Sequence, residues 1–212
     1  MPTNDINAAV QFAVNICNDE THGYAIGGTL NPTIDCSGLV YYALQAGGFQ
    51  GLPDRRWNTG NMMNYLRAMG FNEAVFTVSQ RPTYAPQHGD IWVHSEGTEE
   101  DPHGHALFYG ENVWGYVDSS TPTKQNITKA RIEAVSSYDR PGTDDSVNSS
   151  GVHNEVWVHY GDHLYSPRDC PNATWHVFRW GGTPPGPTPS GDICAIFFRR
   201  RKRFNRFYDR RL

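Results

Sequence analysis

Asp35-Cys36-Ser37-Gly38-Leu39-Val40-Tyr41-Tyr42-Ala43-Leu44 is the stretch on which the reading of this chain turns. Asp is among the strongest helix-capping residues, and Leu39, Val40, Ala43 and Leu44 follow at helical spacing until Gly47-Gly48 supplies a stop. The spacing predicts a helix that opens at Cys36. A thiol in the first turn meets unpaired backbone N–H groups and the positive end of the macrodipole, which favour thiolate, the nucleophilic form. The same position also suits a small buried apolar residue, since free cysteine is among the most buried residue types. Position alone leaves both roles open.

Working outward, Ile6, Val10, Ala13, Val14 and Cys17 define one face of an earlier helix, with Thr3 or Asn4 as its cap and Cys17 in the core. A Gly-rich connection over 21–33, containing Tyr24 and Gly27-Gly28, leads into the Cys36 helix. After Pro53 and Trp57, Asn58 or Thr59 caps a third helix that carries Met62, Met63, Leu66 and Met69 and stops at Gly70. Those methionines lie at helical spacing without Cys or His partners, so they read as core.

Beyond Gly70 the period changes to two. Strands are expected over 74–78, 90–94, 105–109, 113–117, 156–160 and 175–180, separated by turns rich in Pro, Gly and Asn. Helices followed by strands imply an α+β domain with an antiparallel sheet. The segment 136–154 reads as a long polar loop. GGTPPGPTPSG over 181–191 has a linker's composition, so the folded domain is expected over 1–180 and a basic, aromatic, disordered tail over 192–212.

The net charge of −4 hides a division. Eight of the 18 basic residues lie within 199–212, opposed there by Asp209 alone, so this tail carries +7 and the remainder, ten basic against 21 acidic residues, carries −11. An acidic body excludes generic nucleic-acid binding for the domain and leaves any such role to the tail. Cys17, Cys36, Cys170 and Cys194 form no CxxC pair and no disulfide framework, which fits synthesis in a reducing compartment. The start, Met-Pro-Thr-Asn-Asp, has no signal-peptide pattern, and no apolar run reaches membrane-spanning length. Cytoplasmic synthesis without a leader is the expectation.

A nucleophilic thiolate needs a base or ion-pair partner, and His103-Gly104-His105-Ala106-Leu107-Phe108-Tyr109-Gly110 offers two. His105 begins the apolar strand and is the better fixed, although a surface histidine at a strand end fits the same pattern. A third polar group should orient the imidazole, and the following strand offers Asp118, which equally suits a turn before Ser119-Ser120. Neither histidine group, 88–105 or 153–163, has a zinc-ligand spacing, and no phosphate-binding glycine loop occurs. No metal and no cofactor is expected.

Four blocks in order, Tyr24-Ala-Ile-Gly-Gly-Thr, Asp35-Cys36-Ser37-Gly38-Leu39-Val40, Gly89-Asp90-Ile91 and Gly104-His105-Ala106-Leu107-Phe108-Tyr109-Gly110, resemble the papain-like NlpC-type cysteine hydrolases of bacterial cell walls. The likeness covers roughly residues 5–180. The Tyr-Tyr-Ala-Leu helix, Asn-Thr-Gly-Asn-Met-Met and Trp-His-Val-Phe-Arg look most like the bacteriophage peptidoglycan hydrolase branch. The resemblance implies a papain-like fold, with N-terminal helices packed on a central antiparallel sheet. It further implies Cys36 as nucleophile, His105 as its proton partner, and Tyr24 and Ser37 as oxyanion or substrate contacts, with the Cys36 N–H in the oxyanion site. Gly89-Asp90 would be a structural turn. The family's orienting residue falls where this chain has Gly115, Tyr116 or Val117, with Asp118 just beyond.

The implied activity is hydrolysis of a peptidoglycan amide bond, as a muramoyl-alanine amidase or as an endopeptidase of the stem peptide, either in lysis after holin-type release or from a virion. A non-catalytic binding or virion-structural module with the same fold is the rival of another class. Peptidoglycan is the implied partner. Phage tail proteins are a second one, and the basic tail suits anionic wall polymers or a membrane surface.

Overall fold

The computed structural model of the chain describes residues 4–19, 21–77, 84–94, 104–116, 123–135, 155–162, 164 and 173–181. Helix α1 (Ile6–Asn18) is capped by Asp5, whose carboxylate accepts from the Asn7 and Ala8 N–H groups, one residue beyond the expected cap at Asn4. Two short strands, β1 (Gly23–Tyr24) and β2 (Thr33–Ile34), pair in parallel and lead into α2 (Cys36–Ala46), capped by Asp35 as its side-chain chemistry requires. Helix α3 (Thr59–Ala68) begins with a reciprocal box in which Asn58 and Asn61 exchange side-chain and backbone bonds. It ends at Gly70, whose φ of +93° only glycine adopts freely.

The strands follow: β3 (Asn72–Phe76), β4 (Ile91–His94), β5 (His105–Gly110), β6 (Val113–Gly115), β7 (Gln125–Ile127), β8 (Ala130–Val135), β9 (Glu155–Tyr160) and β10 (Trp175–Arg179). Six form one sheet in the order β3-β10-β4-β5-β8-β9, antiparallel at every pairing. The fold is α+β with three helices and a large antiparallel sheet among the described residues.

The strand pattern departs from expectation, since β7 and β8 fall outside the expected strands and β6 pairs elsewhere. The stretch after β5 was expected to join the sheet, but β6 pairs with β7 in a separate two-stranded ribbon, and β8 occupies the place beside β5. Alternation explains why β8 belongs there: Ala130, Ile132 and Ala134 enter the main core, while Arg131 and Glu133 take the opposite parity.

That parity divides the sheet. Ile91, Val93, Ala106, Phe108, Ile132, Ala134, Val156, Val158 and Phe178 pack with the helices in the main core. The other face holds Trp92, Leu107, Tyr109, Trp175 and Val177 in a second, aromatic cluster. Trp180 closes the helical side by packing on Phe49 and Phe71, with ring centroids 5.0 and 5.1 Å away.

Gly89-Asp90 is a structural turn as expected. Asp90 is fully buried, and both its oxygens receive Arg179 nitrogens at 2.7 Å, which joins the start of β4 to the end of β10. The long loop over 136–154, the linker beyond Gly181 and the basic tail lie outside the described residues. Among the described residues no helix is long and apolar enough to cross a membrane.

Candidate active site

Cys36 is the first residue of α2 and only 7% exposed. Its setting is built by Asp35, which does more than cap the helix. Oδ1 accepts from the Gly38 N–H at 2.7 Å and the Ser37 hydroxyl at 2.9 Å, and Oδ2 accepts from the Gly27 N–H at 2.8 Å. Arg56 completes the arrangement with two bonds, Nη1 to Oδ1 at 2.8 Å and Nη2 to Oδ2 at 2.7 Å. Burial pushes the Asp35 carboxyl up, but Arg56 and the two backbone donors outweigh it and hold the group below its ordinary value. One carboxylate thus clamps the start of α2 to the Gly27 turn. Gly38 leaves room for the clamp, since a Cβ there would come within 3.0 Å of Arg56 Nη1.

Arg56 was not singled out in the sequence, because it sits in an irregular loop 21 residues from its partner. Arg56→Ala would leave Asp35 charged and half-answered in a site where its side chain is only 10% exposed. Removing one partner of such a pair is expected to cost about 3 kcal/mol, read as a lower urea midpoint at unchanged slope.

Ser37 is placed differently from a substrate contact. It is 3% exposed, its hydroxyl is committed to Asp35 and lies 3.4 Å from the Trp57 carbonyl, and its own carbonyl accepts from the Trp57 indole N–H at 2.9 Å. Its side chain supports the helix start. Tyr24 pairs in register with Ile34, two residues ahead of Cys36, so the β1–β2 ladder brings it to the Cys36 end of α2.

His105, the first residue of β5, is 8% exposed and hydrogen-bonded to the Cys36 side chain. Its Nε2 lies 2.7 Å from Glu133 Oε2. With Nε2 engaged by the carboxylate, Nδ1 is the ring nitrogen left for the thiol. Burial works against charge on the ring, but the bonds to Cys36 and Glu133 prevail and push its pKa up to about 10. His105 is therefore an imidazolium at neutral pH.

Glu133, on β8, lies one register step from His105, since it pairs with Leu107. It is 2% exposed, and it is shared: Oε2 also accepts from Arg131 Nη2 at 3.0 Å, and Oε1 is bonded to His159 Nε2. Burial raises its pKa, yet Arg131, His105 and His159 together hold the carboxyl well below its usual range. Glu133 is thus the carboxylate that faces the His105 ring.

Sequence reading missed Glu133 because β8 itself was missed. The signal was present in Ala130-Arg131-Ile132-Glu133-Ala134-Val135, which alternates apolar and charged residues at period two. Asp118 lies outside the described residues. Gly115, in the register expected for the orienting residue, has no room for a side chain, because a Cβ there would lie 2.5 Å from the Val158 carbonyl oxygen. Tyr116 in the same segment is buried and bridges to His159.

The elements therefore bring Cys36, His105 and Glu133 into one chain of contacts, drawn from a helix start and two neighbouring strands. A thiol beside an imidazole that is anchored by a carboxylate has the composition of a nucleophile, an acid–base and an orienter. No family model matches this chain, and no curated protein matches its sequence.

Proposed function

We propose that the protein is a cysteine hydrolase acting on amide bonds, of the papain-like NlpC type. Within that class the reading taken here is a peptidoglycan hydrolase of the phage kind, an N-acetylmuramoyl-L-alanine amidase. The observation that carries the class is the Cys36–His105–Glu133 chain, in which a helix N-terminus presents the thiol and a buried carboxylate holds the imidazole. The wall substrate is supported by the four ordered sequence blocks around Tyr24, Cys36, Asp90 and His105.

In this mechanism the Cys36 thiolate attacks the amide carbonyl carbon, and the carbonyl π electrons move onto oxygen. The Cys36 backbone N–H and the Tyr24 hydroxyl stabilise that oxyanion. As the intermediate collapses the C–N bond breaks, and the His105 imidazolium gives its proton to the departing amine. Water then attacks the thioester with neutral His105 as base, releasing the acid and restoring thiolate and imidazolium. Glu133 holds the ring in orientation and balances its charge throughout.

The bond cleaved is tested by digesting purified peptidoglycan and labelling new amino termini. A free L-alanine amine is the expected product. A free diamino-acid amine would replace the amidase by a stem-peptide endopeptidase using the same centre.

A further inference from the structure

The Glu133 carboxylate has two oxygens and answers two imidazoles. Oε2 faces His105 and Arg131, while Oε1 is bonded to His159 on β9, a residue that the hydrolytic steps leave unused. The register makes this three-strand arrangement specific: Leu107 pairs with Glu133, and Arg131 pairs with His159, so His105, Glu133, Arg131 and His159 lie on one face of adjacent strands. Glu133 is 2% exposed, so its carboxylate depends on protein donors for its hydrogen bonds. A carboxylate in that position keeps its orientation only while both oxygens are satisfied.

We infer that His159 is a positioning residue for the Cys36–His105 centre, holding Glu133 by Oε1 so that Oε2 stays aimed at His105. This deepens the proposed hydrolase and rests on that reading for its kinetic consequence. The bonding of the carboxylate supports it: Oε2 is answered by His105 and Arg131, and Oε1 by His159. Among the described residues, the groups that face the two rings include Cys36 from α2, His94 from β4 with ring centroids 6.2 Å from His105, and Glu133 and Arg131 from β8. Of these, Glu133 is bonded to both imidazoles.

Losing the Oε1 donor leaves the carboxylate to turn or to take up a proton, and either change weakens its hold on the imidazolium. The test is nuclear magnetic resonance titration of His105 in full-length wild type, His159→Ala and His159→Gln, alongside kcat and KM on peptidoglycan. In His159→Ala the His105 midpoint is expected to fall by about one unit, with kcat down roughly tenfold, KM unchanged and the basic limb of the rate profile displaced in step. His159→Gln, which keeps an N–H donor, should restore most of both. A midpoint that stays put or rises in a folded His159→Ala protein would overturn the assignment. Because the titration needs no turnover, a shifted midpoint sustains the positioning role even if the wild type proves inactive on walls, an outcome that would sink only the hydrolase reading.

Discussion

Cys36→Ala abolishes wall hydrolysis while the protein stays folded, and that pair of results is expected together. Removing a hydrolase nucleophile costs on the order of 10⁶ in kcat, far more than loss of any binding contact, because the covalent path disappears. The fold should survive because α2 is anchored by its neighbours rather than by the thiol. Asp35 caps it, Arg56 and Gly27 clamp the cap, and Leu39, Val40, Ala43 and Leu44 fill the core. A zymogram of wild type and variant reads the activity, and circular dichroism melting reads the fold. The His105 titration gives an independent check, since one of its two raising partners is gone and its midpoint should fall from about 10 toward the ordinary 6.5. A Cys36→Ala protein that still clears walls would end the cysteine mechanism and favour a binding or structural role for the domain.

Glu133→Gln should be nearly as severe for activity and more severe for stability. The amide keeps the shape but removes the charge that faces His105, Arg131 and His159. In the triad logic, replacing the orienting carboxylate by its amide lowers kcat by roughly 10⁴, through the wrong tautomer and lost imidazolium stabilisation. The buried Arg131 loses the Glu133 carboxylate, a change expected to cost about 3 kcal/mol.

The pH dependence separates these effects. The lowered Glu133 pKa contributes stability that is present above its ordinary 4.5 and is lost as pH falls through its depressed value. The raised His105 pKa contributes stability that is complete below 6.5 and is lost as pH rises through about 10. Wild-type stability should therefore decline between pH 6.5 and 10. In Glu133→Gln that decline should be shallower, because His105 has lost one of the partners that raised it. Chemical denaturation at stepped pH reads both slopes, and identical slopes would show that Glu133 does not hold the imidazolium.

Local chemistry made much of the architecture legible. The three helices were visible from apolar spacing and the stops of the second and third from Gly47 and Gly70, while capping chemistry marked Asp35 and left Asn58 or Thr59, of which the structure uses Asn58. The strands expected from alternation over 90–94, 105–109 and 175–180 form over 91–94, 105–110 and 175–179. Cys36 and His105 stood out because each sits at the start of an element whose own pattern announces it. The first cap was expected at Thr3 or Asn4, but Asp5 is an equally good capping residue and the geometry selects it. The failure at β6 had another cause. Val113 to Gly115 has a strand's composition, but composition does not say which neighbour a strand pairs with, and Gly115 packs against Val158 too tightly for any side chain at the expected third position.

Taken alone, the sequence determined the α+β order, the helix that opens at Cys36 and the strand that opens at His105, because capping and periodicity act over a few residues. Only the tertiary structure decided that β8 lies beside β5. That pairing brings Glu133 to His105 from 28 residues away and sets His159 behind it, while Arg56 reaches Asp35 across 21. Strand order and buried ion pairing depend on long-range register and on which charges can be satisfied away from water, and neither is encoded in any local window.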